Sequence, residues 1–104
     1  MKRVQLSRLL LFLGCAIVLG YSGVALAQGT TIEYGIDRPG SDSYSFDLVR
    51  PEPADCQAVC VNDPSCHAWT FVRPGYQGPN ARCWVKPLAP APRDHFCCVS
   101  GTKF

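Results

Sequence analysis

Six of the seven cysteines and both histidines are the residues of this chain best suited to chemistry. From residue 28 onward they stand at Cys56, Cys60, Cys66, His67, Cys83, His95, Cys97 and Cys98. Thiolate and imidazole together allow a soft-metal site, a nucleophilic or redox cysteine, or a set of disulfides. A zinc site is marked by closely paired ligands such as CxxC or HxxxH, and neither occurs in this stretch. A redox role wants an exposed CxxC, and a cysteine nucleophile needs a base held beside it. There is no GxSxG elbow, no phosphate loop and no pair of acids that can be set across a cleft. The chain therefore reads as neither an enzyme nor a metal or cofactor protein, and His67 and His95 read as surface or loop histidines.

The disulfide reading is supported by the first quarter of the sequence. Lys2, Arg3 and Arg8 precede an apolar run from Leu9 to Leu19, and Ala25-Leu26-Ala27 gives the small-x-small pattern of a cleavage site. The expected division is a signal peptide over 1–27 and a single folded domain over 28–104. Cleavage takes Cys15 away and leaves an even number of cysteines in a short exported chain, as a disulfide framework requires. An uncleaved anchor is the competing reading, since the apolar stretch approaches the roughly 20 residues of a membrane span. A lipoprotein box at Phe12-Leu13-Gly14-Cys15 is weaker, because apolar sequence continues past the cysteine. All three put the folded part outside the cytoplasm, secreted or periplasmic, where thiols oxidise.

The whole chain carries a formal charge of +2, but from Gln28 onward seven basic residues face eight acidic ones. A nucleic-acid partner needs a basic excess or run, and neither is present. A domain this small stands near the limit of what a core alone stabilises, so covalent staples are expected.

The elements that must position the cysteines are short. Thr30 to Gly35 is rich in β-branched and aromatic residues and reads as a strand, and turn formers cluster from Asp37 to Asp42. Tyr44, Phe46 and Leu48 alternate with Ser45 and Asp47, which predicts a half-buried strand over Ser43 to Val49. Pro53 suits the first turn of a helix over about Ala54 to Asn62, with Ala58, Val59, Cys56 and Cys60 as its apolar stripe, and Asp63-Pro64 stops it. Cys66 to Arg73 reads as a strand with Ala68, Thr70 and Val72 on one face and Trp69 and Phe71 on the other. Pro74 to Asn80 is a glycine and proline loop, Arg82 to Lys86 a further strand, Leu88 to Arg93 a proline-rich connector, and Phe96 to Thr102 a terminal strand. On a helix Cys56 and Cys60 share a face with Cβ atoms about 5–6 Å apart, too far for the roughly 3.5–4.5 Å of a disulfide. Each must bond elsewhere, with Cys66 and Cys83 within reach.

CQAVC over 56–60, DPSCHAWTFV over 63–72, RCWVK over 82–86, CCVSG over 97–101 and the opening YGIDRPGSD over 34–42 together resemble the PAN/apple domain family, in its short exported bacterial form. The resemblance covers about Tyr34 to Gly101. It implies an α+β fold with one central helix packed on an antiparallel sheet of about five strands, and the pairs Cys56 with Cys83 and Cys60 with Cys66. Closing loops of roughly 28 and 7 residues, these contribute about 3.6 and about 2.4 kcal/mol in the chain-entropy account. Cys97 and Cys98 depart from the larger apple pattern, in which a C-terminal cysteine meets one near the domain start. Adjacent Cα atoms are about 3.8 Å apart, below the roughly 4.4–6.8 Å usual for disulfides, and strand neighbours face opposite ways. Three readings stand: a strained vicinal bond, which is preferred, an intermolecular bridge, or pairing with the helix cysteines.

The family likeness implies a non-catalytic module contacting an unidentified protein or carbohydrate. Arg73, Tyr76, Gln77, Arg82, Trp84 and Lys86 are the candidate contacts, because this loop and strand carry aromatics and cations together. Trp69 and Phe71 read as core, and Trp84 is divided between core and contact. The alternative is a small structural envelope or secreted protein that assembles through Cys97, Cys98 or an uncleaved anchor, with a membrane involved only in the latter case.

Overall fold

The computed structural model describes residues 29–104. The signal segment, its cleavage after Ala27, the anchor and lipidation readings and Cys15 lie outside the described residues. The element order is β1 (Glu33–Asp37), β2 (Tyr44–Asp47), α1 (Pro53–Asn62), β3 (Ala68–Val72), β4 (Arg82–Lys86) and β5 (Arg93–Thr102). The strands form one antiparallel sheet in the order β1-β5-β3-β4-β2, and α1 packs across β3, β4 and β5. Among the described residues the fold is α+β, a single helix on a five-stranded antiparallel sheet. Among the described residues no helix is long and apolar enough to cross a membrane.

Helix α1 starts at Pro53, whose missing N–H lies among the amides that have no partner in a first turn. At its other end Lys103 Nζ donates to the carbonyls of Cys60 at 2.8 Å and Asp63 at 2.6 Å. A cation there satisfies acceptors that the helix leaves open and meets the negative end of its dipole. The helix buries Cys56 and Cys60 and half-buries Val59, whereas Ala58 is exposed. The apolar stripe is thus narrower than the sequence suggests, because the sulfurs, not aliphatic side chains, meet the sheet.

Cys56 bonds Cys83 on β4 and Cys60 bonds Cys66 just before β3, with Cα separations of 5.5 and 5.2 Å, inside the usual range of roughly 4.4–6.8 Å. Around them Trp69, Phe71, Val85 and Val99 are buried, with Phe46 and Leu48 packed against the cluster. Gly101 is opposite Trp69 on β5, and a Cβ there would stand 2.5 Å from the indole Nε1. Only glycine leaves room for the ring.

Strand pairing fixes the other face. Thr70 lies opposite both Trp84 and Ser100, and Val72 opposite Arg82 and Cys98, so these side chains point away from α1. All five residues of β3 are buried, which a strand covered on one side alone would not show.

The strand boundaries shift in both directions from the sequence reading: β1 starts at Glu33 instead of Thr30, and β2 and β3 are shorter than Ser43–Val49 and Cys66–Arg73 at both ends. β1 runs on to Asp37, and β5 begins at Arg93 instead of Phe96. Between their two paired stretches, Tyr34↔Val99 and Ile36↔Asp94, β1 has Gly35 alone while β5 has His95, Phe96, Cys97 and Cys98. A bulge of this kind breaks the inward and outward alternation. Gly35 accommodates it with φ +73, a conformation costly for any residue with a Cβ.

Candidate binding cleft

The face of the sheet turned away from α1 is roofed at its edges by loops, which enclose an open cleft of about 450 Å³. Its floor is built from Thr70 and Val72 on β3, Trp84 on β4 and the Cys97–Cys98 pair on β5. One wall is the turn from Asp37 to Asp42, and the other is formed by Tyr76, Gln77 and His95.

Each part is held by a specific contact. Lys86 reaches from β4 under the first wall, where its ammonium pairs with the Asp42 carboxylate and donates to the Gly40 carbonyl at 3.0 Å. The outer side of that wall is fixed by Arg38, which forks onto Glu33 at 2.9 Å and donates to the Pro90 carbonyl at 2.6 Å. The hydrogen bond and charge of Glu33 raise the already high pKa of Arg38, so this clamp stays charged. On the opposite wall Trp84 Nε1 donates to Gln77 Oε1 at 2.8 Å. Tyr76 meets His95 and Phe96 edge-on, with ring centroids 6.3 and 6.1 Å apart. Thr70 and Ser100 hydroxyls bond each other at 2.9 Å beneath the floor.

Of the six candidate contacts, the structure brings Tyr76, Gln77, Trp84 and Lys86 to the cleft and leaves Arg73 and Arg82 off it. Arg73 is exposed but donates to the Phe96 carbonyl at 2.9 Å, bracing β5 beyond the cleft. Arg82 donates to Ser45 Oγ and pairs with Asp47 at 2.9 Å, tying β4 to the edge strand β2. The Arg82 and Asn80 hydrogen bonds hold the Asp47 carboxyl below its ordinary pKa. Lys86 is the correction: it is 2% exposed and its charge is spent on Asp42, so it positions the wall and does not present a free cation. A lysine next to a buried strand end has few other ways to place its ammonium.

Cys97 and Cys98 bond each other, with their Cα atoms 3.7 Å apart. All six cysteines from residue 28 onward are therefore paired within the chain. Cys56, Cys60, Cys66 and Cys83 cannot join His67 or His95 around a metal while bonded. His67 faces another part of the surface, with Nδ1 at 2.8 Å from the Pro87 carbonyl.

The sequence reading missed the Asp37–Asp42 wall, the floor residues Thr70 and Val72, and the place of His95 and the Cys97–Cys98 pair beside Trp84. Strand alternation already set Thr70 and Val72 on a common face. Nothing in the spacing says that residues near 40 fold over residues near 84.

A second hollow, about 520 Å³, lies at the far end of α1, lined by Val61, Pro64, His67, Lys103 and Phe104. Its polar groups already serve the fold, since Lys103 caps the helix and Thr30 Oγ1 accepts from Gln57. It lacks the aromatic floor of the open-face cleft.

The family model of the PAN domain matches residues 36–86, from the end of β1 through β4, including α1 and both of its disulfides. No curated protein and no solved structure gives a match. PAN domains are generally protein- or carbohydrate-binding modules and are typically non-catalytic. The match, with one helix stapled to a five-stranded antiparallel sheet, shows that the chain belongs to the PAN/apple domain family.

Proposed function

We propose that this chain is an exported, non-catalytic recognition module, with 1–27 as its export signal and 28–104 as its folded domain, and that its ligand seats in the open-face cleft. The observation that carries the reading is Trp84, half-buried at the centre of a floor between two loop walls and joined to Gln77 by its indole N–H. An indole face offers a flat apolar surface for a sugar ring or a partner side chain, while Gln77 and Tyr76 supply hydrogen-bonding atoms around it. Three disulfides agree with an oxidising compartment. The ligand class is protein or carbohydrate.

Assembly through Cys97 or Cys98 is the weaker reading, because the two cysteines are bonded to each other and leave no thiol for a second chain. A glycan array together with pull-down from envelope extract tests the recognition reading. Binding that is lost in Tyr76→Ala and Gln77→Ala, with the fold intact by circular dichroism, supports the cleft as the site. Silence in both assays, or binding indifferent to these substitutions, overturns it.

A further inference from the structure

The three disulfides lie in different surroundings. Cys56, Cys60, Cys66 and Cys83 are at most 1% exposed, sealed between α1 and the sheet. Cys97 and Cys98 border the cleft, within the bulge where β5 leaves β1. Cys97 is 7% exposed and Cys98 2%, so a small thiol entering the cleft meets Cys97 before any helix-face sulfur. The peptide unit also holds consecutive Cα atoms about 3.8 Å apart, short of the roughly 4.4 Å where ordinary disulfides begin, and bonds outside that range are the more easily reduced.

His95 lies beside the pair. Its Nδ1 accepts the Cys97 amide hydrogen at 2.9 Å, which holds the ring next to the sulfurs in the oxidised chain; a neutral imidazole has one lone pair, so a cation bound by His95 replaces this hydrogen bond. Donor atoms of His95, Cys97 and Cys98 all fall within 4.8 Å of one another. Ligands on one tetrahedral zinc, with bonds of about 2.0–2.3 Å, lie roughly 3.5–4 Å apart. The imidazole is near both sulfurs, which separate toward that spacing once their bond opens, and two thiolates with one imidazole make a set suited to soft cations.

We infer that Cys97–Cys98 is a reducible bond whose dithiol form joins His95 in a three-ligand site for a soft divalent cation, zinc or cadmium, with the fourth position open to the cleft. Opening takes two molecules of a small monothiol. The first attacks one sulfur and forms a mixed disulfide while the other cysteine leaves as thiolate and is protonated. The second attacks the small-molecule sulfur of that mixed bond, departs with it as the small disulfide, and frees the remaining cysteine as a thiol. Two electrons pass from the monothiols to the cysteine pair. The cation then displaces one proton from each thiol.

The test uses the exported, fully oxidised chain titrated with glutathione and then divided: one portion is alkylated and mapped by mass spectrometry, and the other, freed of glutathione and left unalkylated, is titrated with Cd²⁺. The expected result is labelling of Cys97 and Cys98 together while the four helix-face cysteines stay protected, followed by uptake of Cd²⁺ with cadmium–thiolate charge-transfer absorption. Cys97→Ser/Cys98→Ser abolishes that absorption. His95→Ala keeps the labelling pattern but weakens Cd²⁺ binding by at least about tenfold, and His67→Ala, outside the cleft, changes neither. Labelling of the helix-face cysteines first, or Cd²⁺ affinity unchanged in His95→Ala, overturns the inference. Should the double serine variant misfold, His95→Ala decides alone. Recognition of a ligand is not read in this experiment, so its failure leaves the proposed function standing.

Discussion

The same strands present two different surfaces. Toward α1, β3 and β4 offer Trp69, Phe71, Cys83 and Val85, sealed by the helix and two disulfides. Toward the cleft they offer Thr70, Val72, Trp84 and Lys86, covered only by loops. The covered face has little that a ligand could use: its one polar atom without a partner among the described residues, Trp69 Nε1, is locked against Gly101. On the open face Trp84 and Gln77 are joined in an exposed contact that a ligand can supplement or replace, while the buried Lys86 ammonium holds a half-exposed Asp42 in the wall. Stability resides where contacts are apolar and closed to water, and recognition where they are polar and reachable.

If that division holds, substitutions on the two faces should separate stability from binding. The largest effect is expected from removing both helix staples, Cys56→Ala/Cys83→Ala with Cys60→Ala/Cys66→Ala, at about 6 kcal/mol in the loop-entropy account. That is comparable with the whole stability of a small domain, about 5–15 kcal/mol, so circular dichroism should report an unfolded chain. Cys97→Ser/Cys98→Ser closes almost no loop and should leave the chain folded under the same measurement.

Trp69→Ala comes next, with a loss of about 3–5 kcal/mol by urea denaturation, because it empties the largest buried volume under the helix. On the open face, Lys86→Met should cost about 1.5–3 kcal/mol, since it strands the Asp42 carboxylate and the Gly40 carbonyl at the base of the first wall. Ligand affinity should fall with it as that wall loosens. Trp84→Ala should weaken binding by at least about 2 kcal/mol, or roughly thirtyfold, measured by calorimetry once a ligand is in hand. A stability loss without a binding loss would move Trp84 to the structural side of the comparison.

The smallest effect concerns acid. Asp63 accepts hydrogen bonds from Ser65 and Tyr44, which hold its carboxyl below the ordinary 3.8 and raise the Tyr44 phenol in turn. A folded-state pKa below the unfolded one adds stability that is present above the unfolded value and is lost as pH falls through the folded one. The urea midpoint should therefore drop as pH is lowered below about 4, and Asp63→Asn should flatten that fall.

Much of the scaffold was legible in the residues. Pro53 and Asp63-Pro64 bracket α1, and alternating Tyr44, Phe46 and Leu48 mark the edge strand, because local backbone preference and period-two patterning act within a few residues. The cleft was half legible. Tyr76, Gln77 and Trp84 are recognisable as an aromatic and polar cluster, yet the sequence places Lys86 among the contacts, since its burial depends on a loop more than 40 residues earlier.

The amino-acid order by itself determined the class of the molecule: six cysteines after an apolar N-terminal stretch, a helix too short to stand alone, and strands with one apolar face each. Only the tertiary structure decided where a site could lie. Strand alternation sets neighbouring residues on opposite faces, but the bulge opposite Gly35 turns both Cys97 and Cys98 toward the cleft. The reversal of β5 against β1, and of the Asp37–Asp42 turn over β4, is a long-range arrangement. Local propensity carries no information about it, because its free energy comes from contacts that exist only once the sheet has closed.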